Sequence, residues 1–249
     1  MHVFVFLSNF ATLNVVKCPN RMINRELIRI KVVQLTYAYY QNGNRNLDVA
    51  EKELLFSLSK AYHLYHYLLA LIVAVTKEAR KHYEVESAKA EREGLPLPSN
   101  RFAYNKFAMQ LEENKQLCDF ISSQKQTWDD DIEFVRKLYS QLVQSSIYID
   151  YMESDDSSYE ADREVWRKLY KSFVMENEEI DSVLEEKSLY WNDDKEIVDT
   201  FVLKTIKRFD EAKGADQELL PEFKDEEDRE FAHRLFRNTL LNAEYYRKL

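Results

Sequence analysis

Between Asn24 and Gln41 the chain reads NRELIRIKVVQLTYAYYQ, with apolar residues recurring at helical rather than strand spacing. At about 100° per residue, Leu27, Ile28, Val32, Leu35, Ala38 and Tyr39 share one broad arc. Ile30, Val33 and Tyr37 form a second apolar arc on nearly the opposite side. A helix apolar on two sides is expected to be covered on two sides, which predicts a rod through the middle of a helical domain. Asn24 suits the N-cap, and Asn42-Gly43 closes the run. Between the arcs, Arg25, Arg29 and Thr36 leave a narrow polar seam that starts at the helix N-terminus.

From Leu47 towards Glu93 the apolar positions Leu54, Leu55, Leu58, Ala61, Tyr62, Tyr65, Leu68, Leu69, Ile72 and Val75 keep a 3/4 spacing. This predicts one long amphipathic helix or a closely coupled pair, turning into an exposed charged extension beyond Lys77. Gly94-Leu-Pro-Leu-Pro-Ser-Asn100 reads as a linker. Helices are expected over Arg101–Ser123 and Trp128–Tyr151. A further one follows a capping box at Ser157-x-x-Glu160, with Val165, Trp166, Leu169, Tyr170 and Phe173 inward. A short acidic helix covers Asn177–Ser188. Asn192 caps Asp193–Ala212, with Ile197, Phe201, Ile206 and Phe209 inward and Lys213-Gly214 as the stop. Asp225 starts a last helix, in which Phe231, Leu235, Thr239 and Asn242 line one side and Leu240 and Tyr246 a neighbouring one.

Composition narrows the class. With 3 Gly and 4 Pro in 249 residues, sandwiches, barrels and doubly wound sheets lack the turns they need, so the chain reads as all-α. The net charge of −9 argues against broad, sequence-independent attraction to nucleic acid or a membrane surface, although a small basic patch remains compatible. Cys18 and Cys118 form neither a metal-ligand spacing nor a disulfide framework, which suits a reducing cytoplasm. The apolar, β-branched residues 1–21 lack the basic leader of a signal peptide. They read as a non-native extension upstream of a start at Met22.

Candidate chemistry is sparse. His63 and His66 stand at i, i+3 without a carboxylate pair, which favours surface or interface histidines over metal ligands. Asp129-Asp130-Asp131 and Asp193-Asp194 fall at or before helix starts, where carboxylates cap free N–H groups. There is no Gly-rich phosphate loop, HExxH, CxxC or nucleophile elbow, and no catalytic residue, cofactor or metal is assigned.

Two separated segments carry a resemblance. Arg25-x-x-x-Arg29, then Val33-Gln34 and Tyr37, resembles the opening helix of the bacterial transcription antitermination factor NusB family, an arginine-rich turn leading into A-V-Q-x-L-Y. Phe231-Ala232-x-x-Leu235-Phe236-x-Asn238-Thr239 resembles the F-A-x-x-L-x-x-G-V segment of that family's third helix, with Asn-Thr in place of Gly-Val. The resemblance implies a NusB-like helical bundle with an inserted set of extra helices and a missing C-terminal subdomain. Residues 22–93 would be its N-terminal helices, 94–218 the inserted region and 219–249 a truncated family helix.

The function so implied is non-enzymatic. Such proteins pair with NusE, a ribosomal protein, and hold boxA RNA near elongating RNA polymerase on ribosomal RNA operons, in the cytoplasm and away from membranes. Carried over by position, the RNA-binding residues would be Arg25, Arg29, Gln34 and Tyr37, with Glu26 where many relatives carry another arginine. Reversing both arginines is expected to weaken RNA binding with little change in melting temperature. The alternatives are a di-iron carboxylate enzyme, for which only one Glu-x-x-His pair (Glu230, His233) is present, an RNA-binding domain preceding a methyltransferase, and a protein-binding scaffold.

Overall fold

The structure, a computed structural model, describes residues 22–43, 46–223 and 225–242. The segment at 1–21, with Cys18, and Tyr246 lie outside the described residues. Among the described residues the chain is all-α, with no strand.

Helix α1 (Arg25–Gln41) starts at Asn24, whose side chain accepts from Leu27 N–H at 2.8 Å. Helix α2 (Leu47–Glu93) is one unbroken helix of 47 residues, about 70 Å long. No Gly or Pro interrupts it, and Asn46 caps its start. It stops where Gly94 adopts φ 68°, with Leu95 N–H returning to Ala90 O at 2.9 Å. That left-handed residue is one glycine adopts without steric cost.

The central rod is α2, not α1, which corrects the sequence expectation. Every residue from Leu64 to Val73 is buried. Around α2 pack α1, α3 (Lys106–Glu112), α4 (Lys115–Ser123), α5 (Ile132–Val143), α9 (Lys195–Arg208) and α10 (Glu226–Leu241). Helices α6 (Ser146–Glu153) and α7 (Tyr159–Phe173) form an outer layer against α3, α5 and α9, and α8 (Glu178–Lys187) precedes a 3-10 turn at Asn192–Asp194. The most apolar 18-residue window of α2 has a mean hydropathy of 1.2, yet 72% of it is buried, so its apolar character is used by the core. On α1 only the first arc is buried, through Leu27, Ile28 and Val32, whereas Ile30, Val33 and Tyr37 face outward. One hydrophobic core runs from Met22 through Phe236 and takes in all three sequence stretches.

Two expected helices are each split in two, and the cause is short polar side chains that cap instead of continuing a helix. Asn105 and Asn114, both fully buried, accept from Ala108 and Leu117 N–H. Their amides donate to Asp162 O at 3.0 Å and Gln217 O at 2.6 Å. Ser145 likewise caps α6 and separates it from α5. The cap of α7 is Ser158, one residue after the expected Ser157. The helix expected to reach Ala212 ends at Arg208, before a turn in which Gly214 has φ 50°.

The acidic clusters also differ from the capping expectation. Asp131 and Asp194 occupy N-cap positions without a side-chain cap bond. Asp131 instead accepts from Lys187 Nζ at 2.6 Å, and Asp194 is buried against Lys31.

Candidate nucleic-acid interface

The two segments that resemble the family lie about 200 residues apart in sequence and side by side in space. The leads into α1 and α10 are tied together: Met22 N–H donates to Pro221 O at 3.1 Å and Ile23 N–H to Glu222 O at 2.9 Å. The lead into α10 is anchored on α2, because Tyr62 hydroxyl donates to Leu220 O at 3.1 Å and Leu220 N–H donates to the Tyr65 hydroxyl oxygen at 3.1 Å. At the far end Tyr40 hydroxyl donates to Leu240 O at 3.4 Å, so the helices run parallel. Their N-termini therefore sit together, and the partial positive charge of both points to one place. That partial charge is met within the chain by Glu26 on α1 and by Glu226, Glu227 and Asp228 on α10.

The arginine turn lies at that end. The Arg25 guanidinium carbon is 4.9 Å from the Phe231 ring centroid, and that of Arg29 is 6.0 Å from the same ring. Arg25 also meets two carboxylates of α10, with Nη2 3.5 Å from Glu227 Oε1 and Nε 3.7 Å from Asp228 Oδ1. Arg29 is exposed and, among the described residues, has no carboxylate within ion-pair distance. One guanidinium is held internally and one is open.

Tyr37 lies two turns beyond Arg29, about 12 Å along the axis and about 80° around it. It is 57% exposed, and its hydroxyl accepts from Gln41 Nε2 at 2.9 Å. Its outward position differs from a core role, the other use its apolar arc allows. Gln34 faces another way and donates from Nε2 to Asp193 Oδ2 at 3.2 Å. The structure thus brings Arg25 and Arg29 together on Phe231, extends the outer face of α1 to Tyr37, and turns Gln34 into a tie to the 3-10 turn.

Sequence reasoning left out the residue that fixes this helix. Lys31 is 3% exposed, and its Nζ lies 2.7 Å from Oδ1 of the fully buried Asp194. The contact is an ion pair and not a well-aligned hydrogen bond, and Oδ2 receives no donor among the described residues. Burial pushes the Asp194 carboxyl up to about 6, a rise that Lys31 only partly offsets. The signal was present, because Lys31 falls inside the Leu27–Leu35 arc on the helical wheel. Glu227, Asp228 and Phe231 had no such signal, since only the tertiary packing brings them to Arg25.

His66 is buried rather than superficial. It stacks on Phe120 with centroids 4.8 Å apart, and burial pushes its imidazole down to about 4. His63 is half-buried and also held below the usual histidine value, mainly by burial. Glu230 and His233 do not gather further ligands: His233 Nδ1 faces Glu51 at 3.7 Å, and no group of three or more His, Cys, Asp or Glu side chains is placed to hold a metal among the described residues.

Comparison with known protein families, with curated proteins and with solved structures finds no match to this chain. The α1–α10 end carries mixed charge, with two arginines on an aromatic ring beside the carboxylates of both first turns. An open guanidinium on an aromatic face suits phosphate oxygens, and an exposed tyrosine on the same helix suits an unpaired base.

Proposed function

We propose that the chain is an RNA-binding transcription antitermination factor of the NusB type. In this reading it pairs with ribosomal protein NusE and holds boxA RNA during transcription of ribosomal RNA operons, as a cytoplasmic, non-enzymatic partner of the elongation complex. The observation that carries the reading is the packing of the arginine turn of α1 on Phe231 of α10, at the shared N-terminal end of two parallel helices. Arg29 is the main phosphate contact and Arg25 a supporting one. Tyr37 offers a base platform, and Gln34 keeps α1 against Asp193.

The overall charge of −9 fits this division of labour if the basic partner supplies most of the phosphate neutralisation. RNA binding by the chain alone should then be weak and steeply salt-dependent. Arg29→Glu is the clean test, because reversing Arg25 would also place a third carboxylate beside Glu227 and Asp228. Fluorescence anisotropy with boxA RNA and NusE should show a loss of at least about tenfold for Arg29→Glu, with an unchanged melting temperature. Equal RNA affinity would remove the site.

A further inference from the structure

The geometry points to a gate on the arginine turn: we propose that Glu227 occupies the place of a phosphate on Arg25 and is displaced when RNA binds. This inference rests on the RNA-binding reading of the same site. Three groups hold the Arg25 guanidinium, and they are not equivalent. Phe231 supports its face at 4.9 Å. Asp228, whose side chain is only 2% exposed, meets Nε at 3.7 Å. Glu227, whose side chain is 70% exposed, meets Nη2 at 3.5 Å.

The buried partner and the ring fix where the guanidinium sits, while the exposed partner covers the edge that faces solvent. An exposed pair at that length is weak and screened by salt. A phosphate has the same charge sign and the same fork-compatible oxygens as the carboxylate it would replace. Arg25 can therefore exchange Glu227 for RNA without leaving Phe231 or Asp228. Arg29 needs no such exchange and makes the first contact. The first turn of α10 then serves as an internal competitor that raises the RNA concentration needed for binding and rejects weak polyanions.

The test measures boxA RNA binding by the full chain with NusE, using fluorescence anisotropy across a salt series. Glu227→Gln is expected to bind about fivefold tighter, the weight of one exposed ion pair. The slope of log affinity against log salt should steepen, because in the wild type added salt also weakens the competing Arg25–Glu227 pair. Glu86→Gln removes the same charge from an exposed position on α2, about 30 Å along the helix from Tyr65, and should change affinity by less than about twofold. In an Arg25→Gln background the gain from Glu227→Gln should vanish. If the wild type binds and Arg29→Glu weakens it, yet Glu227→Gln changes nothing or Glu86→Gln matches it, the gate is wrong and the RNA reading stands. If the wild type with NusE does not bind the RNA, both fall.

Discussion

At the scale of single residues the most consequential pair is Lys31 and Asp194. A buried ion pair is a modest source of stability, but losing one member leaves an uncompensated charge in the core. Asp194→Ala or Lys31→Ala should lower unfolding free energy by about 3–5 kcal/mol in chemical denaturation, whereas Lys31→Met with Asp194→Leu should recover most of that loss. Two buried groups here respond to acid in opposite directions. The Asp194 carboxyl, raised to about 6 by burial, takes up a proton more readily in the folded chain, so acidification through that value favours folding. His66, lowered to about 4, is held neutral in the folded chain while the unfolded chain protonates near the ordinary histidine value. Its contribution is complete above about pH 6.5 and lost as pH falls towards 4. His66→Phe keeps the ring against Phe120 and should reduce acid destabilisation across that interval by about 3 kcal/mol, read from urea denaturation at several pH values.

At the scale of elements, α1 shows what a hydrophobic pattern decides and what it leaves open. Both arcs are apolar, but Leu27, Ile28 and Val32 are buried in the core, while Ile30 and Val33 are 39% and 44% exposed. Ile28→Ala should therefore cost about 2–5 kcal/mol and Val33→Ala no more than about 0.5 kcal/mol in thermal or chemical unfolding. Periodicity found both helices that form the site, their Asn24 and Asp225 caps, and the inward residues of α7. It placed α1 at the centre because a one-dimensional pattern records which faces are apolar and not which neighbour covers them. It also ran through Asn105, Asn114 and Ser145, where a buried polar side chain can cap only once its distant acceptor is in place. Asp162 O and Gln217 O are such acceptors, 57 and 103 residues away. For the same reason Arg25 and Arg29 were legible as a basic turn, while the carboxylates that hold Arg25 were not.

At the scale of the whole molecule, a net charge of −9 constrains the proposed phosphate contact. Arg25 and Arg29 stand beside four carboxylates in the first turns of α1 and α10, Glu26, Glu226, Glu227 and Asp228, so the proposed RNA contact depends on the basic partner for most of its positive charge. The continuous core from Met22 to Phe236 means that the helices of 94–218 support the site by packing on α2, on which α1 and α10 also rest. Ultraviolet cross-linking of boxA RNA to the full chain in the presence of NusE, with the attached peptides located by mass spectrometry, shows where RNA lies on the protein. The proposed RNA contact on α1 predicts dominant cross-links on Arg25–Gln41, with Tyr37 foremost. Cross-links confined to the helices of 94–218, or none above those of an unrelated RNA, would contradict it.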